Sequence, residues 1–284
     1  MKKFLAVLLL CLLVSCSARA GGIETITLFD RQSKPDTSLL IGADAEQIAR
    51  YCPDGRLSGN VLAFLVKMKG RTILFDTGLP DGRIAAELKK NGLAAGDVKT
   101  ILLTHLHRDH FGGLLDADGK AAFPNAEVYV GRAERAWWIN EKKDQNVIRA
   151  FAQYAGRIHE FESGARVMPG VKALDTGGHT PGHVSFLLKS GKEKLLIIGD
   201  LIHFTDIQLP LPDVAVKYDV DPVKATEARK RIFDYACENN IPVAGMHIPF
   251  PGTLRFSSVC LPQTDEYIPL VVSVSPSVGG PPRT

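Results

Sequence analysis

The six residues His105-Leu106-His107-Arg108-Asp109-His110 follow directly on the apolar run Lys99 to Thr104, and they constrain this chain more than any other feature. Side chains alternate along an extended segment, so His105 and His107 point to one side and can share a cation. Asp109 and His110 come next, where Gly112-Gly113 lets the chain turn into another element. A carboxylate and a third imidazole therefore fall beside the first pair, and the cluster supplies ligands for two adjacent metals. One isolated histidine is usually a satisfied polar residue. Three histidines and an aspartate in six positions weigh against that reading.

The surrounding pattern alternates strands with helices. Asn60 to Lys67 and Thr72 to Phe75 are apolar runs separated by Lys69-Gly70, a β-hairpin pattern, and Asp76-Thr77-Gly78 closes the second strand. Asp81 to Lys90 has helical spacing and ends at Asn91-Gly92. Glu127 to Val130 reads as a strand, Arg132 to Glu141 and Gln145 to Ala155 as helices, and Lys172 to Asp175 as a strand. Val184 to Leu188 and Lys194 to Ile198 form a second hairpin around Ser190-Gly191. Asp221-Pro222 opens an amphipathic helix running to Asn239, and Pro242 to Met246 is a last strand leading to His247. This alternation predicts sheets with helices packed outside, an α/β architecture.

Met1-Lys2-Lys3, an apolar run from Phe4 to Val14, and Ser15-Cys16-Ser17-Ala18-Arg19-Ala20 have the order of a secretory signal, and the run is too short to span a bilayer. Leu13-Val14-Ser15-Cys16 resembles a lipoprotein box, while Ala18-Arg19-Ala20 before Gly21 fits ordinary cleavage, and both readings stand. Either way the expectation is an exported, periplasmic protein, soluble or attached to a membrane through a lipidated Cys16. Removing residues 1 to 20 takes Lys2, Lys3 and Arg19 and no acid, so 34 basic against 31 acidic groups become 31 against 31. A neutral mature chain gives no electrostatic argument for a nucleic-acid partner and fits a small-molecule substrate better. Cys52, Cys237 and Cys260 remain, without CxxC spacing. A disulfide between two of them is open in an oxidising compartment, and buried unreactive thiols are the simpler expectation. Ser273 to Thr284 is Ser-, Pro- and Gly-rich and reads as an unstructured tail after a domain of residues 23–270.

The His105 to His110 run resembles the signature of the metallo-β-lactamase-fold hydrolases. Thr176-Gly177-Gly178-His179-Thr180-Pro181-Gly182-His183 resembles that family's second motif, Leu195 to Asp200 a third, and Gly245 to Gly252 around His247 the last. The resemblance implies a four-layer αββα sandwich of two mixed β-sheets with helices outside. It implies His105, His107 and His179 on one metal, Asp109, His110 and His247 on a second, and Asp200 shared, with His183 orienting a neighbour or packing. Two divalent ions follow, zinc first, with Mn, Fe or Co tolerated by imidazole and carboxylate ligands. Asp109 and Asp200 are then the catalytic pair, Asp109 also shuttling a proton to the leaving group. Asp76 either orients a ligating histidine or initiates a turn.

Within the family, Gly199-Asp200-Leu201-Ile202-His203 with Asp219-Val220-Asp221-Pro222 is similar to the branch containing methyl parathion hydrolase and related lactonases. That implies attack by a metal-bridging hydroxide on an ester, lactone or organophosphate triester. Trp137, Trp138, His203 and Phe204 are candidates for the pocket mouth, or ordinary packing residues. The likeness fades after Arg255, with Asp265-Glu266-Tyr267-Ile268-Pro269 echoing a closing strand, and a homodimer is compatible with it. The rivals are a metallo-β-lactamase, against which a bridging Asp200 argues, and a mononuclear-iron oxidoreductase of the same fold. A basic-faced nuclease and a non-catalytic metal-binding lipoprotein fit less well.

Overall fold

The computed structural model describes residues 22–256 and the two-residue strand Pro269–Leu270. The leader with Cys16, Cys260 and the tail after residue 272 lie outside the described residues. No helix among the described residues is long and apolar enough to cross a membrane.

The hairpin at Lys69-Gly70 forms as expected. Gly59–Met68 pairs antiparallel with Arg71–Phe75, and Lys69 and Gly70 both adopt positive φ, the conformation that a two-residue hairpin turn with the right twist requires. Gly59–Met68 is apolar on both faces because it lies inside a sandwich. Leu62, Phe64, Val66 and Met68 face one layer while Ala63 and Leu65 face the other.

A six-stranded sheet runs in the order Ile23–Ser33, Gly59–Met68, Arg71–Phe75, Thr100–Leu102, Glu127–Gly131, Ile158–Phe161. Its first two pairings are antiparallel and the remainder parallel. A seven-stranded sheet follows in the order Pro269–Leu270, Thr253–Phe256, Val243–Ala244, Glu193–Ile197, Val184–Ser190, Val171–Asp175, Arg166–Met168. The first sheet is thus built from chain up to residue 161 and the second from residue 166 onward.

The two sheets bury a shared core in which Phe186 meets Phe75 at 5.4 Å and Phe161 at 5.8 Å between ring centroids. On the outer face of the first sheet, Ile84 and Leu88 of helix Ile84–Lys90 and Val147, Ala150 and Phe151 of helix Gln145–Gln153 complete a second core. Helix Pro222–Glu238 covers the other sheet with Ala228, Ile232, Phe233 and Ala236. It starts as its sequence dictates, with Pro222 in the first turn and the Asp221 carboxylate accepting from the Lys224 amide. The result is the expected four-layer αββα arrangement. Replacing Phe186 with Ala empties the middle of the inter-sheet core and should cost about 3–5 kcal/mol in denaturant unfolding; a loss under about 1 kcal/mol would mean that this core is not what holds the sheets together.

Two elements depart from expectation. The stretch before residue 59 carries the eleven-residue strand Ile23–Ser33 and helix Ala45–Tyr51, where the sequence pattern assigned no element. Ile26, Leu28 and Asp30 alternate inward, but the strand lies at the sheet edge and its other side chains are half-exposed or exposed, so its apolar signal is diluted. The helix expected over Arg132 to Glu141 is α-helical only to Ala136 and continues as a π-helical turn, Trp137–Glu141. Among the cysteines, Cys52 is a free buried thiol, whereas Cys237 is disulfide-bonded, which corrects the expectation of an unreactive thiol there.

Candidate metal centre

The candidate residues sit in loops that leave the carboxyl ends of strands. His105 to His110 follow Thr100–Leu102, His179 follows Val171–Asp175, Asp200 follows Glu193–Ile197, and His247 follows Val243–Ala244. Open α/β sheets place ligands at such strand ends. Gly112 and Gly113 do not serve the turn by conformational freedom. A Cβ on Gly113 would lie 2.0 Å from the Thr77 carbonyl oxygen, and one on Gly112 would lie 2.5 Å from Pro80 Cδ. They are glycines because the loop after Phe75 presses against them.

All seven residues singled out as ligands come together. His105, His107, His179 and Asp200 offer atoms within 4.8 Å of one another, and so do Asp109, His110 and His247. His107 Nδ1 lies 3.0 Å from His105 Nε2 and 2.8 Å from His179 Nε2. Asp200 lies between the groups, with Oδ2 3.2 Å from His179 Nε2 and 3.0 Å from His247 Nε2, and Oδ1 3.1 Å from His110 Nε2. Asp109 is partly exposed and sits 3.6 Å from His247 Nε2.

Outer partners fix most of these rings. His110 Nδ1 meets Asp76 Oδ2 at 2.7 Å, and Asp76 also accepts from the Thr104 amide and hydroxyl. Of the two sequence readings of Asp76, the structure therefore shows the orienting contact, made from a residue at φ 58°. His179 Nδ1 pairs with Asp219 Oδ1 at 2.8 Å, His105 Nδ1 with the Thr104 hydroxyl at 3.1 Å, and His247 Nδ1 with the Asn60 carbonyl. Such contacts set the tautomer and aim the free nitrogen inward. His183 accepts the Asp200 amide at Nε2 while its Nδ1 lies against Thr176, so it positions Asp200.

Electrostatics divide the imidazoles. Burial holds His105 well below the usual histidine range, and burial with His179 alongside takes His107 to about 3. Burial also opposes charge on His110, His179 and His247, but carboxylates outweigh it: Asp200 raises all three, and with Asp219 it takes His179 to about 9. Burial alone would raise Asp200, yet His110 and His247 hold it well below the usual carboxylate range. His110 Nε2 and Asp200 Oδ1 are buried without a hydrogen-bond partner, and three imidazole nitrogens converge at His107 with few protons to share. Lone pairs gathered in this way fit a divalent cation, so the residues present suit the two-metal centre that the sequence implies.

The pocket candidates separate. His203 is buried, with Nε2 3.2 Å from Asp200 Oδ2 and its ring stacked on His247 at 4.9 Å, which puts it against the centre. Trp138 packs edge-on against His107 at 5.5 Å, and Trp137 meets Trp138 edge-on in turn at 4.9 Å. Phe204 instead packs with Leu57, Ile207, Val214 and Val216 in a separate core, a structural role. Tyr218, exposed and 5.7 Å from the His203 ring, stands at the mouth and had no sequence signal.

The family model described as the metallo-beta-lactamase superfamily matches residues 57–238. The chain belongs to that superfamily. Among solved structures, this superfamily member is similar to the hydrolase AbOPH of the beta-lactamase superfamily, with TM-score 0.78 and 31% identity over 88% of this chain and 94% of that one. It is also similar to AidC, a dizinc quorum-quenching lactonase solved with a product, with TM-score 0.76 and 25% identity over 88% and 98% of the two chains. An N-acyl homoserine lactonase of Bacillus cereus is 29% identical over 172 residues, 51% of this chain and 65% of the lactonase. The match thus spans just under two thirds of that curated relative. These relatives are a hydrolase and two lactonases, one of them dizinc.

Proposed function

We propose that this chain is a dinuclear metal-dependent hydrolase that opens a lactone or cleaves a related ester or organophosphate triester. The observation that carries the reading is Asp200, whose two carboxylate oxygens face His179 and His247 on one side and His110 on the other. Two divalent ions, zinc by preference for this ligand set, would supply an acidified water and polarise the scissile bond.

The protein's own residues supply the rest. Asp76, Asp219, Thr104 and the Asn60 carbonyl hold the outward nitrogens of His110, His179, His105 and His247, so that the inward nitrogens are aimed at the centre, where a bound cation would take the place of a proton. Asp109, partly open to solvent, can take the proton from the attacking water and pass it to the leaving oxygen. Trp137, Trp138 and Tyr218 line the open side, where aromatic walls suit an acyl or aryl substituent.

A zinc-loaded preparation assayed against N-acyl homoserine lactones, aryl esters, a paraoxon-type triester and a chromogenic lactam tests this. Turnover of a lactone or ester is expected; turnover of the lactam alone would favour a β-lactamase, and turnover of none would sink the proposal. Chelator treatment should abolish the activity and zinc should restore it. At free zinc about a thousandfold above Kd, the loaded protein should be about 4 kcal/mol more stable than the stripped one. Equal thermal melts with and without metal would contradict a bound ion.

A further inference from the structure

Glu134 is a buried carboxylate outside the ligand set, on the short helix Arg132–Ala136. All its hydrogen bonds are to donors, and three of the four come from two different ligand-bearing loops. Oε1 accepts from the Leu106 amide at 2.9 Å and from Trp138 Nε1 at 2.7 Å. Oε2 accepts from the Thr180 hydroxyl at 2.7 Å and from the Gly182 amide at 3.0 Å. Leu106 lies between His105 and His107, Thr180 follows His179, and Trp138 packs against His107. The contact is tight, because a Cβ on Gly182 would come within 2.2 Å of the Glu134 amide nitrogen.

We propose that Glu134 is a positioning residue that clamps the His105–His107 loop to the His179 loop and so sets the geometry of that one metal group, with no such hold on Asp109, His110 and His247. The inference rests on the metal-centre reading. Four donors converge on one carboxylate, and only an ionised carboxylate can accept all four through two oxygens. A glutamine has the same shape but presents an NH₂ at one end. In its best orientation the Thr180 hydroxyl turns to accept from that NH₂, and the Gly182 amide is left facing a donor. Burying that conflict moves the His179 loop.

The test is Zn²⁺ titration of the full-length protein against a chromophoric chelator, before and after Glu134→Gln. Partners that orient ligands typically contribute about 10- to 100-fold in metal affinity. One of two dissociation constants should therefore rise by about tenfold or more while the other stays within about threefold. Added to His247→Ala, which cripples the other group, Glu134→Gln should leave no tightly held ion. Excess zinc should restore kcat, because Glu134 acts through the loops that hold the ion and touches no reacting atom. Thr180→Val, which removes one of the four bonds and keeps the side-chain shape, should weaken the same ion by about threefold and gives the answer if Glu134→Gln does not fold. A lower melting temperature with both zinc affinities unchanged overturns the proposal and leaves Glu134 a packing residue. No zinc uptake by the unaltered protein overturns the metal-centre reading together with this one.

Discussion

Replacing Asp200 with Asn should lower kcat/KM by on the order of a thousandfold or more and remove tight binding of at least one zinc ion, the size of loss seen when a group stabilising transition-state charge is removed. Asp200 is buried and carries the negative charge around which His110, His247, His105 and His203 are packed. The amide keeps the shape but offers one oxygen in place of two, and its NH₂ must then face an imidazole group on one side. No neighbour can stand in, because Asp76, Asp109 and Asp219, the other acids close by, are already turned to histidines of the centre. Kinetics together with metal analysis checks this, and a variant keeping two tight ions and near-normal turnover would remove Asp200 from the centre.

His107→Ala should lose activity on a comparable scale with the fold intact. His107 is half-buried on a loop, and its ring touches His105, His179 and Trp138, none of which belongs to the inter-sheet core. Circular dichroism and the chemical denaturation midpoint of the metal-free variant should therefore match those of the unaltered protein. Asp109→Asn should behave alike for the same reason, since Asp109 is also only partly buried and lies outside the inter-sheet core. The contrast with Phe186→Ala is diagnostic: one substitution removes chemistry without stability, the other stability without touching the chemistry. Retained hydrolysis in either loop variant would refute the mechanism.

The candidate centre was legible where chemistry is compressed into short stretches of chain. His105 to His110 packs four ligands of two types into six positions, and His179, Asp200 and His247 each end a strand pattern that periodicity can find. Apart from Asp76 and His183, what holds those side chains was not legible. Asp219 lies 40 residues from His179, and Glu134 lies 28 from Leu106 and 48 from Gly182. His247 is held by the Asn60 main-chain carbonyl, a group every residue carries and no side-chain pattern can report. Glu134 itself reads as one more polar position on an amphipathic helix, and only tertiary packing makes it a buried acceptor. The sandwich was readable from its two hairpins and the helix from Pro222, whereas the edge strand Ile23–Ser33 was hidden because most of its outward side chains meet solvent. The π-helical turn that carries the Trp pair was hidden as well, since helical spacing alone does not report a change in the angular step.

The division of the two sheets along the chain has a consequence for biosynthesis. His105, His107, Asp109 and His110 belong to the half that ends at Phe161, while His179, Asp200 and His247 belong to the half that begins at Arg166. Neither half holds a full ligand set. A chain emerging from the ribosome can complete the first set only once Asp200 is out, and the second only once His247 has followed, so metal capture comes late and registers that the two halves have docked.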